Sequence, residues 1–407
     1  MARDRDGVVD FVIDVPFPEG AKIKVVGVGG GGCNALNSMI EQGIRGVDFI
    51  AINTDVQHLE ANLAPVKLQI GRRYTRGLGA GSRPEVGREA ALESEEEIAA
   101  VLQGADMVFL AAGMGGGTGT GATPVVARIA RQLNILTVAV VTIPFHNEGP
   151  GRMRKALAGL EELRSEVDTL IVIPNQRLLT LAEEQQNLAI MRAFQLANEV
   201  LYNAVRGIAE VITVTGVVNL DFADVNTVLR NSGSALIGSA SASGADRATR
   251  AVTEALHHPM MDGRSIAGAR HILVNITSGG APLTVELRDI LDILFEEGGE
   301  SVEEVMHGII IDPDMDPQEL RVTVLACGFP EPISYMDQLP ATYFNKKPSS
   351  NPTHPADSPA PPASTQRPPG SRFSNGGEDP IPGRDPSSSR SDSSGSQVAS
   401  FWRRIMD

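Results

Sequence analysis

From residue 22 to about residue 180, short and nearly uninterrupted apolar runs alternate with stretches whose apolar residues recur every three or four positions. The runs KIKVVGVG (22–29), VDFIAIN (47–53), ADMVFLAAG (105–113), ILTVAVVTIP (135–144) and DTLIVIP (168–174) are rich in β-branched residues, and their continuous hydrophobicity predicts strands covered on both faces. Between them, Pro124–Leu133 and Met153–Val167 carry helical spacing, the latter with Met153, Leu157, Leu160, Leu163 and Val167 on one stripe. The alternation predicts an α/β fold, a Rossmann-like parallel sheet wound on both sides.

Ile190, Phe194, Ala197, Leu201, Val205 and Ile208 then recur at three- and four-residue steps, which describes one long helix with a buried face. Beyond it, RHILVNITSG (270–279), GIIIDP (308–313) and LRVTVLACGF (320–329) read as strands and PLTVELRDILDILFEE (282–297) as a helix. The expected plan is an N-terminal extension over 1–21, a first domain over 22–183, a central helix over 184–212 and a second, α+β domain over 213–330. From 331 to 397 the chain is rich in Pro and Ser and poor in apolar residues, so it cannot bury enough surface to offset the entropy of ordering and is expected to be a disordered linker. Its last ten residues, VASFWRRIMD (398–407), place Val398, Phe401, Trp402, Ile405 and Met406 at i, i+3, i+4, i+7 and i+8. That is the amphipathic-helix template on a tether, read as a docking peptide that is expected to order in a partner's groove, the plain alternative being a frayed tail that happens to be apolar.

Composition narrows the setting. Of 407 residues 42% are hydrophobic, room for a sizeable core and about two domains. The 35 Lys+Arg against 50 Asp+Glu give a net charge of −15, which argues against nucleic acid or direct membrane binding. No apolar run reaches the roughly 20 residues that span a bilayer, and the acidic N-terminus lacks signal-peptide architecture. Cys33 and Cys327 lie far apart and form no metal-binding spacing, as suits a reducing compartment. These features predict a cytoplasmic protein that reaches a membrane only through partners.

Two glycine clusters carry the chemistry. GMGGGTGTGA (113–122) follows the apolar run MVFLAA, and GVGGGGCNA (27–35) follows the first strand. Bare backbone on this scale costs stability unless the chain must approach something closely, and strand ends that empty into such loops are where α/β sheets hold phosphates. Gly27, Gly29 and Gly32 alone fit a dinucleotide fingerprint, with Asp55 as a ribose-binding acid, so an NAD-dependent oxidoreductase is one alternative. A dehydrogenase has no use for the second cluster, and no nicotinamide-side His or Lys is positioned for it. No Walker-type phosphate loop occurs. Two loops from neighbouring strands, one with threonines, would instead wrap a single triphosphate.

At this point the sequence resembles the bacterial cell-division GTPase family FtsZ, related to tubulin. GGGTGTG (115–121) is that family's signature, and GVGGGGCNA, AINTD (51–55), GLGAG (77–81), PFHNEGPGRM (144–153), IPNQRLL (173–179), AFQLANEVL (193–201) and NLDFADV (219–225) stand around it in the family's order. The resemblance covers roughly residues 20–330 and the last ten. It implies a GTPase that assembles head to tail, acting at the division site on the inner face of the membrane.

The resemblance further implies that Gly29, Gly30 and Gly31 lie against the phosphates with Asn34 just beyond. Asp55, Gly79, Ala80 and Gly81 would lie near the β- and γ-phosphates, and Gly116, Gly117, Thr118 and Gly119 form the signature loop. Glu148 and Arg152 would hold ribose and phosphate, although without the family each reads as an exposed helix-start charge. Asn175 would meet the ligand at a strand end. Phe194 would stack on guanine and Asn198 would read its edge, an amide being both donor and acceptor; Phe194 alone reads as core. Asn219, Asp221 and Asp224 would enter the next subunit's pocket to orient water, so the catalytic set is shared, whereas the plain reading of Asp221 and Asp224 is a helix cap and an acid near the helix dipole. GTP and GDP are the implied ligands, with Mg²⁺ carried on the nucleotide and no metal site of the protein's own. Phe401, Trp402, Arg403, Arg404 and Ile405 would recruit membrane-anchoring and regulatory partners.

The sequence departs from the family's usual pattern at Ser82 and Arg83, at Ala245 where an acid is usual, and at Trp402 in place of an aliphatic residue. A further alternative is a tubulin-like filament for plasmid or phage segregation; the nearly balanced tail with its apolar end favours division.

Overall fold

The computed structural model describes residues 20–183, 190–261 and 263–335; the N-terminal extension, the linker from 336 and the terminal peptide lie outside them. Ten strands form one sheet: β1 (Ile23–Val28), β2 (Val47–Asn53), β3 (Val66–Gln69), β4 (Met107–Gly113), β5 (Leu136–Ile143), β6 (Thr169–Pro174), β7 (Gly233–Ser243), β8 (His271–Ser278), β9 (Glu304–Ile311) and β10 (Glu319–Cys327). Their order is β3-β2-β1-β4-β5-β6-β7-β10-β8-β9. The first six strands are all parallel. Strand order reverses about β1, which pairs with both β2 and β4 in the same register, Ile23 opposite Val47 and Met107. Such a switch point opens a crevice at the carboxyl ends of the strands.

Period-two alternation divides these strands between two layers. Val26, Val28, Ile50, Ile52, Val108 and Leu110 pack on one side; Ile23, Val25, Phe49, Ala51, Met107 and Phe109 pack on the other. The second layer also receives Leu201, Val205 and Ile208 from the central helix Ile190–Thr213, together with Leu273 of β8 and Leu325 of β10. One buried helical stripe thus serves both parts of the sheet. The junction itself is narrow, β6 pairing with β7 only over Thr169–Ile171.

Three departures from the sequence expectation have physical reasons. β3 is only VKLQ, and β7, GSALIGSASAS, contains small residues because the helix Arg247–Leu256 lies against it; a Cβ on Gly238 would run into the carbonyl of Ala255. Neither segment has the apolar run that marks the other strands. The helix expected from Pro124 begins six residues earlier, at Thr118, so the threonine half of the signature is its first turn. Packed chain also continues past 330: Ile333 and Tyr335 are buried, Ile333 donates its N–H to Ser234 Oγ (3.3 Å), and Arg164 donates to the Ile333 carbonyl (3.2 Å). The boundary expected at 331 therefore falls inside packed structure.

Candidate functional site

The helix Gly29–Glu41 begins on the residue after β1, and Thr118–Gln132 begins five residues after β4. Neither has a capping side chain or an acid in its first turn. Each therefore presents unsatisfied N–H groups and the positive end of its dipole, a ready anion site. The two ends converge. Gly29 has φ +70°, and a Cβ there would lie 2.6 Å from the backbone nitrogen of Gly119, so both the left-handed conformation and the close approach require glycine.

Other signature glycines serve packing. A Cβ on Gly117 would meet Ala80 Cβ at 2.7 Å and Arg83 N at 2.9 Å, and one on Gly121 would collide with the Pro84 carbonyl. The small residues let the segment Ala80–Pro84 and the following helix Pro84–Glu93 sit directly on the signature. Its threonines are likewise engaged within the protein. Thr118 Oγ1 lies 2.6 Å from Thr54 Oγ1, and Thr120 Oγ1 accepts the Gly115 N–H at 2.7 Å. Both hydroxyls thus brace the turn from within the protein.

Asp55 caps the short helix Val56–Glu60, its Oδ1 accepting from Gln57 N (2.9 Å) and His58 N (3.2 Å). It also bridges to Leu78, and a Cβ on Gly79 would lie 3.8 Å from its Oδ2. Gly79, Ala80 and Gly81 are thereby held beside the end of β2, Gly79 N donating to the Thr54 carbonyl at 3.4 Å; Ala80 is buried and Gly81 exposed. Asn34 Oδ1 lies 3.1 Å from His58 Nε2, and burial holds that imidazole's pKa below its usual value against the opposing pull of Asp55.

Glu148 and Arg152 are not exposed helix-start charges. They flank the start of the helix Pro150–Arg164, with the Glu148 carboxylate buried and its Oε1 accepting the Phe145 N–H at 2.7 Å. Oε2 and Arg152 Nε stand 3.3 Å apart, yet neither has a hydrogen-bond partner. Burial raises the Glu148 pKa, and the Arg152 charge offsets this only in part. At the end of β6, Asn175 is buried with Oδ1 equally unpartnered. Buried polar atoms without partners cost free energy unless a ligand supplies them, and these fit a polar ribose or base. Phe194 stands edge-on to Phe145, ring centroids 5.4 Å apart, and Asn198 lies one turn further along the central helix; both are half-buried. The structure so gathers the two glycine-rich helix starts, Glu148, Arg152, Asn175 and the helix start carrying Phe194 at the carboxyl end of the parallel sheet. Thr54 and Phe145, not singled out by sequence, support this site from within quoted motifs.

Asn219, Asp221 and Asp224 are elsewhere. They follow the opposite end of the central helix, where Thr213 Oγ1 donates to the Arg45 carbonyl (3.4 Å) below the start of β2. The helix alone separates Asn198 from Thr213 by about 22 Å. Asp221 occupies the cap position of the helix Phe222–Leu229, but its side chain makes no capping bond; its carbonyl accepts from Asp224 N (3.0 Å) and Val225 N (3.2 Å). Both carboxylates are exposed, and Asn219 Oδ1 accepts the Gly216 N–H at 2.6 Å. Among the described residues no group of three or more His, Cys, Asp or Glu could hold a metal. Cys33 is buried under the first glycine turn with its thiol pKa pushed up to about 12 by desolvation, a packed and protonated side chain.

Comparison with known proteins agrees with this geometry. Residues 22–183 match the model of the Tubulin/FtsZ family, GTPase domain, and residues 233–330 that of the FtsZ family, C-terminal domain. The structure of an empty FtsZ dimer from M. jannaschii is 44% identical, with a TM-score of 0.71, over 76% of this chain and 89% of that one. This chain belongs to the FtsZ family. It is a guanine-nucleotide-binding GTPase, and the dehydrogenase alternative falls with the first glycine loop's assignment to that family. CetZ1 from Haloferax volcanii, a GDP-bound monomer, shares the fold at 20% identity and a TM-score of 0.64, over 75% of this chain and 93% of that one. No described helix of this FtsZ-family chain is long and apolar enough to cross a membrane.

Proposed function

We propose that this GTPase assembles head to tail into filaments of the bacterial division ring and hydrolyses GTP at the junction between subunits. One observation carries the reading: the loops that suit a triphosphate and the acids that suit its hydrolysis lie at opposite ends of one molecule, about a central-helix length apart. No bending of one chain brings them together, whereas stacking copies in one orientation does so at every junction. The FtsZ relative in its dimeric state supports such pairing.

In this arrangement the helix starts at Gly29–Gly31 and Gly116–Gly119, with Asp55 and Gly79–Gly81 around them, hold the phosphates. Glu148 and Arg152 meet the ribose and adjacent phosphate, while Asn175, Phe194 and Asn198 hold the base. From the neighbour, Asn219 and the carboxylates of Asp221 and Asp224 orient the attacking water, and one of those carboxylates accepts its proton. Mg²⁺ comes with the nucleotide and neutralises charge on the β- and γ-oxygens. The terminal peptide, Phe401–Ile405, hands the filament to membrane-anchoring and regulatory partners at the division site. The domain plan, with a GTP-binding domain over 22–183, a central helix and an α+β domain, follows the same reading.

The test is GTP turnover per molecule across a wide range of protein concentration, with light scattering in parallel. Turnover that rises at a threshold together with scattering is the expected result. Constant specific activity on dilution would mean that each monomer carries a complete site.

A further inference from the structure

A shared site poses an electrostatic problem: the neighbour must bring Asp221 and Asp224 up to a triphosphate, anion against anion. The segment Gly71–Arg83, which overhangs the nucleotide end, holds four arginines and no acid, an exception in a chain of net charge −15. It is fixed there by the Asp55–Leu78 bridge and by Arg83 N beside Gly117. Arg72, Arg76 and Arg83 are exposed and pair with no acid among the described residues, while Arg73 pairs with Glu93. Between them Leu78 is 82% exposed.

The opposite end is its complement. Ile309 of β9 receives the N–H groups of Val217 and Val218 (2.8 and 3.4 Å), so the loop carrying Asn219 and Asp221 lies against that strand. DPDMD (312–316) follows the same strand, Asp312 facing Arg206 of the central helix at 3.5 Å and Asp314 facing Arg45 at 3.9 Å. Asp221, Asp224, Asp314 and Asp316 are exposed, with Val217 64% exposed among them. An arginine rim around an exposed leucine at one end faces carboxylates around an exposed valine at the other.

We propose that Arg72, Arg76 and Arg83 form a cationic rim that steers and orients a second copy of this chain by its acidic end, Asp221, Asp224, Asp314 and Asp316, offsetting repulsion between those acids and the triphosphate. This rests on the head-to-tail reading above and adds the charge set that selects the orientation. Exposed pairs contribute little individually and are screened within about 8–10 Å at physiological salt. Their effect therefore falls on association rate and its salt dependence.

The experiment uses full-length chain with reversed charges. One variant carries Arg72→Glu and Arg83→Glu, the other Asp314→Lys and Asp316→Lys. Each alone should raise the assembly threshold about five- to tenfold and lose most of its salt dependence, with a far-ultraviolet circular dichroism spectrum and a cooperative thermal unfolding transition equal to wild type as the check on folding. An equimolar mixture should assemble at a lower threshold than either variant alone, because the unaltered rim of one then meets the unaltered acidic end of the other. Wild-type thresholds for both variants, or a mixture no better than either alone, would overturn the proposal, as would rim variants that lose only binding to anionic vesicles. Failure of the wild type to assemble at any concentration would instead remove the head-to-tail reading beneath it.

Discussion

Glu148 is a buried carboxylate with one oxygen hydrogen-bonded and the other facing an arginine across 3.3 Å without a bond. Because burial raises its folded-state pKa above the unfolded value, the folded protein holds that proton more tightly. Its contribution to stability without nucleotide is thus full below the unfolded pKa and is lost as pH rises through the folded one. Denaturant unfolding of the nucleotide-free protein between about pH 4 and 7 should show that decline, and Glu148→Gln should remove it while weakening GTP binding. A variant whose pH profile matches wild type would place the shift elsewhere. The cysteines give a second check at this scale. With thiol pKa values pushed up to about 12 and 11 by burial, Cys33 and Cys327 should resist alkylation at pH 8 until denaturant is added. Fast labelling of native protein would show the first glycine turn opening. The burial of Glu148 was not legible in the sequence: it reads as an exposed helix-start charge because only the folded chain lays Phe145 and Arg152 against it.

At the scale of elements, the glycine clusters were legible as a place and only partly as a cause. Sequence located both turns, and the structure assigns much of their bareness to backbone meeting backbone. Strands β1, β2, β4, β5 and β6 were visible because burial on both faces leaves an unbroken apolar run, whereas β7 was hidden by the small residues that let a helix approach. Two alanine substitutions separate these causes. Gly121→Ala would push its new methyl into the Pro84 carbonyl and prise the helix Pro84–Glu93 from the signature helix, costing about 1–3 kcal/mol. Gly151→Ala, in an exposed first turn with nothing within 4 Å and no positive φ, should be neutral or stabilise by up to about 1 kcal/mol through helix propensity. Thermal or denaturant unfolding measures both. Equal effects would mean that the signature's glycines serve conformation and not packing.

At the scale of the whole molecule, the sequence alone could name Asp221 and Asp224 only by resemblance, since nothing in NLDFADV distinguishes a helix start from a catalytic loop. What the fold adds is direction: the central helix carries Phe194 at one end and leads to these acids at the other. If each active site takes its pocket from one copy and its acids from the next, two differently damaged proteins should repair one another. Asp224→Ala leaves the pocket intact, so it should bind GTP normally and turn over less than about a hundredth as fast, within the range for losing a group that orients the reacting water. Asn198→Ala keeps the acids but loses an amide at the base-binding end, and should bind GTP weakly. Mixed in equal amounts, one junction in four pairs a sound pocket with sound acids, so turnover should return to about a quarter of wild type if junctions form at random. A site contained within one chain predicts that the mixture only averages two impaired enzymes. Recovery above that average can arise only where the pocket of one copy is completed by the next.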